Sequence, residues 1–203
     1  MLPSVPVELH IVALDIPYPP DYGGAIDMYY RIQSLHKAGV QIYLHCFQYA
    51  QKLQAPELDA FCKKVWYYPR HTGLSGISLA LPYMIYSRRN KVLLQRLRSI
   101  NAPILFEGIH TSLYLNDAQL KDRFKLLRNH NIEHDYLFRL SQKVKGIFKR
   151  TYFRMEAALT KKYENRLSAV QAFLPISLTD AAYFNAQYPT AKTMFIPPYH
   201  PYT

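Results

Sequence analysis

Near its start the chain reads Ile11-Val-Ala-Leu-Asp-Ile-Pro-Tyr-Pro-Pro-Asp-Tyr-Gly23-Gly24-Ala-Ile-Asp-Met-Tyr-Tyr-Arg31. A short apolar run stops in a proline-rich loop. Gly23 and Gly24 follow, and then an amphipathic helix begins. That order aims a helix N-terminus, with unpaired backbone N–H groups, past the end of a strand. Glycine at that place lets a phosphate come close to the backbone. The stretch therefore predicts an α/β domain whose first strand and first helix meet at an anion-facing edge.

Outward from it, the same alternation continues. Residues 9–14 read as the first strand. Residues 25–38 read as a helix with Ile26, Tyr29, Tyr30, Leu35 and Ala38 near one face, and Gly39 as its stop. Further strands are expected at 40–47, 64–68, 103–106, 125–128, 170–176 and 193–196. Helices are expected at 58–62, 90–100, 134–142, 147–167 and 178–187, with loop and a short helix across 73–86. The strands are continuous apolar runs separated by helical patterns. This predicts a Rossmann-like parallel sheet of about seven strands with helices on both faces. Ligands in such sheets bind outside the carboxyl ends of the strands. The residues just after the strands are therefore candidates: Gly23 and Gly24, residues 107–110, residues 129–133, and Ser177.

Composition agrees with a packed domain, at 49% hydrophobic and 19% charged over 203 residues. No apolar run has the length of a membrane span, and the opening Met1-Leu-Pro-Ser-Val-Pro has no signal-peptide pattern. Two cysteines, Cys46 and Cys62, suggest a reducing compartment, so a cytoplasmic location is expected. The net charge of +11 is unevenly placed. Residues 1–87 carry six Lys/Arg and six Asp/Glu, whereas residues 88–203 carry nineteen and eight. A basic half of this kind suits an anionic lipid surface, a nucleotide or diphosphate ligand, or simply a solvated surface.

Several catalytic patterns are absent. No GxGxxG follows the first strand, and the second strand ends in His45-Cys46-Phe47 rather than an acid, which argues against a nicotinamide site. No Gly-Lys-Ser/Thr occurs. His130-Asn-Ile-Glu133-His134 has the spelling of an inverted zinc motif, but it begins two residues after a strand, where i, i+4 spacing loses its meaning. It reads instead as a polar loop in which Asn131 caps the next helix and Glu133 favours its N-terminus. In 147–167, Phe148, Tyr152, Met155, Leu159 and Tyr163 fall at helical spacing and read as core packing. Lys149, Arg150, Arg154, Lys161 and Lys162 occupy the opposite face, and Arg88, Arg89, Lys91, Arg96 and Arg98 form a second basic cluster. Both suit peripheral contact with an anionic membrane. No nucleic-acid-binding signature is seen, and no nucleic-acid partner is expected.

Residues 17–24, the helix with Arg31 and Leu35, and Ala-Gly39-Val-Gln-Ile together resemble the opening of family 4 (group 1) GT-B glycosyltransferases. Arg128-Asn-His-Asn-Ile-Glu-His-Asp135 is similar to an R-x-H-N-x-E phrase of one bacterial branch. Glu156, Tyr163, Glu164, Ser177 and Asp180 resemble that branch's E…YE…S-x-x-D ending. The resemblance implies the N-terminal, acceptor-side half of a GT-B fold over residues 1–198. Residues 199–203 would start an interdomain connection, and a C-terminal nucleotide-sugar domain would lie outside this chain. It implies a retaining glycosyltransferase of polysaccharide biosynthesis that moves a sugar from a nucleotide sugar to a glycan or lipid-linked acceptor. The fragment is expected to be inactive by itself. Gly23 and Gly24 would face the donor diphosphate and His110 the donor sugar. Arg128, His130, Asn131 and Glu133 would line the cleft, and Ser177 would close its edge. No cofactor and no metal are expected. A GT-B-like sugar-nucleotide epimerase and a non-catalytic membrane- or partner-binding module are the alternatives.

Overall fold

The sheet has seven strands, all parallel, in the order β3-β2-β1-β4-β5-β6-β7. The computed structural model describes residues 7–49 and 53–202, so the readings of residues 1–6 and of Thr203 lie outside the described residues. The strands are β1 (Glu8–Ala13), β2 (Gln41–Gln48), β3 (Lys64–Pro69), β4 (Ile104–Glu107), β5 (Lys125–Asn129), β6 (Ala172–Pro175) and β7 (Lys192–Thr193). The helices are α1 (Gly23–Lys37), α2 (Tyr83–Tyr86), α3 (Lys91–Ser99), α4 (Glu133–Lys143), α5 (Ile147–Glu164) and α6 (Leu178–Gln187). Strand order reverses between β1 and β4, which is where a crevice opens at the carboxyl edge of such a sheet.

Period-two alternation sorts the strand side chains onto two faces. Ile11, Ala13, Ile42, Leu44, Cys46 and Leu105 pack with Met28 and Ile32 of α1. Val12, Phe47, Ile104, Phe106, Leu127 and Phe173 pack with Leu93 and Leu97 of α3, Tyr163 of α5 and Phe184 of α6. Both faces are covered, which is why the strands read as mainly apolar runs.

Two histidines interrupt the apolar strands, and one hydrogen-bonded chain satisfies them. His10 Nε2 lies 3.2 Å from the Ile100 carbonyl, which can only accept, so that nitrogen carries the proton. His10 Nδ1 then accepts from His45 Nε2 at 2.9 Å, and His45 Nδ1 accepts from the Tyr68 hydroxyl at 2.8 Å. Arg96 Nη1 donates to the same Tyr68 oxygen at 3.1 Å and its guanidinium sits 4.9 Å from the Trp66 ring. Both imidazoles are fully buried and neutral; burial holds His10 down to about 4 and His45 well below its usual value.

Five local readings change. The buried face of α1 holds Ala25, Asp27, Met28, Arg31 and Ile32, not the Ile26–Tyr29–Tyr30 face. The 147–167 stripe is not core: Phe148 is 89% exposed, and only Tyr163 of the five lies in the buried cluster. The pattern fails because α5 packs on α4 and buries Glu156, Ala157 and Thr160 instead. The 88–98 cluster is not a free basic face either. Arg88 is buried, Arg96 is stacked on aromatics, and Arg98 Nη2 pairs with Asp117 at 2.6 Å. The end of the helix predicted at 147–167 is a 3-10 turn, Asn165–Ala169, and β7 is shorter than its predicted strand. Among the described residues no helix is long and apolar enough to cross a membrane.

Candidate functional site

The loop leaving β1 keeps Ile16 fully buried and turns through a cis Tyr18–Pro19 peptide. Tyr22 then N-caps α1 in an extended conformation without a side-chain cap bond. Gly23 and Gly24 are thus the first two helical residues rather than loop. Ile26 N is the first amide to reach a carbonyl, that of Tyr22 at 2.9 Å. The amides of Gly23, Gly24 and Ala25 have no intrahelical acceptor. Gly23 and Gly24 border a cavity of roughly 360 Å³ that is also lined by Asp27, His130, Asn131, Ile176 and Pro198. A Cβ on Gly23 would meet no atom within 4 Å. The helix macrodipole and the bare amides make this cavity a place for negative charge.

Beneath it lies a buried ionic cluster. Asp27 Oδ1 accepts from Arg128 Nη2 at 2.9 Å and from the Tyr199 amide at 2.8 Å. Asp27 Oδ2 accepts from Arg31 Nη1 at 2.8 Å and Arg128 Nε at 3.2 Å. Arg31 Nη2 also donates to Glu107 Oε1. Burial opposes the charge on Asp27, but His130, Arg31 and Arg128 together hold its carboxyl far below the usual range. His130 Nε2 lies 3.4 Å from Asp27 Oδ2 and 4.0 Å from Glu107 Oε2. Asp27, Glu107 and His130 bring one potential ligand atom each within 4.8 Å of one another. The two carboxylates already hold two guanidiniums, so the cluster supplies its own counter-charge.

His110 follows Gly108, whose φ of +69° and closeness to His110 Nδ1, 2.9 Å from a notional Cβ, suit glycine alone. Its Nε2 faces Glu133 Oε2 at 3.6 Å, and its Nδ1 is buried without a partner. Burial first, then the positive field of Arg88, holds His110 neutral down to about 3. Burial pushes Glu133 up to about 7, against the pull of His130 and an Asn131 hydrogen bond. A neutral imidazole thus stands beside a carboxyl that changes protonation near neutrality, a pair suited to holding or moving one proton.

The other candidates sort by position. His130 and Asn131 line the helix-end cavity. Arg128 does not line it: the side chain is fully buried, and its Nη1 and Nη2 hold the Ile196 and Pro197 carbonyls at 2.7 and 3.1 Å. Ser177 caps α6, accepting from Asp180 N at 3.1 Å. Asn131 does not cap α4; Ile132 occupies that position without a side-chain bond. The histidines of the zinc-like phrase diverge, since His134 Nδ1 meets Glu164 Oε1 at 2.5 Å, away from His130. Asp27 was not singled out from sequence. Its signal is an Asp27–Arg31 pair at i, i+4 on the same helical face as Met28 and Ile32.

No family model matches the chain. An uncharacterized 44.6 kDa protein in the cps region of Klebsiella pneumoniae is 29% identical over 171 residues, covering 78% of this chain and 42% of that protein. Phytolacca americana UGT2, complexed with UDP-2fluoro-glucose and pterostilbene, superposes with a TM-score of 0.56 at 10% identity, covering 95% of this chain and 54% of that one. The fold is GT-B-like. Medicago truncatula UGT71G1, complexed with UDP-glucose, agrees at a TM-score of 0.54 and 9% identity, covering 95% of this chain and 51% of that one. The chain spans about half the length of each of these proteins.

Proposed function

We propose that this GT-B-like domain is the acceptor-side part of a glycosyltransferase that transfers a sugar from a nucleotide sugar to a glycan or lipid-linked acceptor. The observation that carries the reading is the cavity at the switch point, where Gly23 and Gly24 at the N-terminus of α1 share one lining with His130 and Asn131. The amides of that N-terminus would hold the donor diphosphate and stabilise it as it leaves. His110 would face the transferred sugar as a neutral imidazole, with Glu133 setting its proton balance. Arg128 acts from beneath as a positioning residue, and Ser177 fixes α6 at the same edge. The chemistry needs no cofactor in this reading. We further assign it to family 4, with retention of configuration, in a polysaccharide pathway on the cytoplasmic side. A second domain would supply most nucleotide contacts, so the 203 residues bind donor weakly and do not turn over.

The test is amide-resolved NMR of the 203-residue chain titrated with nucleoside diphosphates. Shifts centred on the Gly23, Gly24 and Ala25 amides are expected. Binding that leaves those amides unmoved overturns the assignment. Robust sugar transfer by the same chain overturns its dependence on a second domain.

One observation adds a membrane contact to this reading. At the α4–α5 corner Ile147 and Phe148 are 67% and 89% exposed, among exposed Lys143, Lys145, Lys149, Arg150 and Arg154. Each cation near an anionic surface contributes about 1 kcal/mol, and the apolar pair can enter the headgroup layer. Sedimentation with anionic vesicles should capture the chain, high salt should release it, and Phe148→Asp should weaken it. Equal behaviour toward neutral and anionic vesicles removes the contact.

A further inference from the structure

A second group of cations stands at the same sheet edge, on the other side of the strand-order reversal. Arg88, just after α2, is 1% exposed. Its Nε and Nη2 donate to the Leu14 carbonyl at 3.3 and 3.0 Å, and its Nη1 donates to the Met84 carbonyl at 2.6 Å. Nη2 also reaches the Tyr49 hydroxyl at 3.1 Å. Arg70, just after β3, is half-buried; its Nε donates to Ser87 Oγ at 3.0 Å and its Nη1 to the same Tyr49 oxygen. Its guanidinium lies 4.7 Å from the Tyr49 ring centre and 5.5 Å from that of Tyr83, which fixes its plane.

Among the described residues every hydrogen-bond partner of these two guanidiniums is neutral. Among the described residues no carboxylate lies within 4.0 Å of either. Elsewhere the same fold matches its buried arginines with carboxylates: Arg31 and Arg128 are matched by Asp27 and Glu107. Asp15 acts on Arg88 from beyond ion-pair distance, and desolvating a cation without a paired carboxylate is costly. The Tyr49 oxygen accepts from both guanidiniums, so its own O–H points away from them and is available to donate. Arg70 keeps N–H donors beyond those the protein uses. The positive field of Arg88 and Arg70 reaches His110, so the cluster borders the proposed sugar-facing residue.

We propose that Arg70, Arg88 and the Tyr49 hydroxyl form an anion subsite that binds a phosphoryl group of the acceptor. The word acceptor rests on the proposed function above; the phosphate binding rests on the cluster. A fixed guanidinium plane, a second buried cation and an outward phenol donor suit tetrahedral phosphate oxygens. The phosphate can belong to a lipid carrier or to a soluble sugar phosphate.

The experiment titrates inorganic phosphate, at constant ionic strength, into the 203-residue chain while following the arginine Nε–H and backbone amide signals. The Arg70 and Arg88 signals are expected to move. Arg70→Gln, at a half-buried position, should weaken phosphate by roughly tenfold, and Tyr49→Phe by a smaller factor. Both variants should keep their far-UV circular dichroism and their affinity for UDP. Unchanged phosphate affinity in Arg70→Gln, or unmoved arginine signals, overturns the subsite. Loss of UDP response at Gly23 with the arginine response intact would instead sink the donor assignment and leave the subsite standing. Glucose 1-phosphate and phosphatidylcholine vesicles doped with a polyprenyl phosphate separate the sources: the probe whose binding Arg70→Gln impairs is the one the subsite takes, and impairment of neither refutes it.

Discussion

Substituting Gly23→Ala separates a role in folding from a role in binding, because the two readings predict opposite signs. Gly23 opens α1 with φ outside the left-handed region, and a Cβ there meets no atom within 4 Å. Alanine is therefore accommodated, and restricting the unfolded chain should stabilise the domain by about 0.4–1 kcal/mol. For a chain of this size that raises the melting temperature by roughly 1–4 °C. The new methyl, however, projects at the residue that lines the helix-end cavity. A phosphate oxygen needs about 2.7–2.9 Å to a backbone N–H, whereas carbon keeps neighbours near 3.5 Å or more. Losing one charge-assisted hydrogen bond costs about 1.5–3 kcal/mol. That is roughly a 10- to 150-fold weaker nucleoside diphosphate. Differential scanning calorimetry and isothermal titration calorimetry measure the two effects on one preparation. A variant that melts higher and binds UDP as tightly as the parent refutes the close approach of a diphosphate to Gly23.

Three further outcomes follow from the charges. His10 titrates near 4 when folded and near 6.5 when unfolded, so the folded state binds fewer protons between those values. Its contribution is complete above pH 6.5 and falls by roughly 3 kcal/mol as the pH drops toward 4, read from urea midpoints at several pH values. A stability independent of pH over that window contradicts the neutral relay. Glu133 should titrate near 7 by carbon NMR of its carboxyl, and Glu133→Gln should remove the neutral-range step from the His110 ring signals. A midpoint in the ordinary carboxylate range dissolves the proposed pair. Asp27→Asn leaves Arg31 and Arg128 short of a counter-charge and should cost about 3–5 kcal/mol by urea unfolding. A loss under about 1 kcal/mol means the cluster is not closed as described.

The sheet was legible because burial on both faces leaves a simple trace. Residues 103–106 are an uninterrupted apolar run and residues 40–47 a mainly apolar one broken by Gln41 and His45, as a two-sided parallel sheet leads one to expect. The edge positions Gly23, His110 and His130 were legible for a topological reason, since ligands collect where parallel strands end. What escaped was charge in the interior. Helical periodicity assigns charged faces to water, so it carries no signal for a buried Asp27 and Arg31. Here they meet Glu107 and Arg128, contributed by strands far away in sequence. Phe148 failed in the opposite direction: its spacing is that of a core residue, but α5 packs on α4 through another face. Periodicity reports that a face is apolar, not what covers it.

The buried cluster also ties the cavity to the chain that leaves the sheet. Asp27 stands one turn beyond Gly23, and its Oδ1 receives the Tyr199 amide. Arg128 holds the carbonyls of Ile196 and Pro197 while its guanidinium neutralises the same Asp27. Pro198, between these anchors, forms one wall of the helix-end cavity. The floor under the α1 N-terminus and the course of residues 196–199 are therefore set by one carboxylate and one guanidinium. Displacing the exit segment would loosen Asp27, and a change at Asp27 would move the wall at Pro198. On the far side of β1, Arg70 and Arg88 have no paired carboxylate among the described residues, so the edge is electrostatically closed where the donor reading places an anion on amides and more open where the acceptor reading places one on guanidiniums. A fold that balances one arginine pair internally and leaves the other to neutral partners keeps its two anion sites distinguishable by charge.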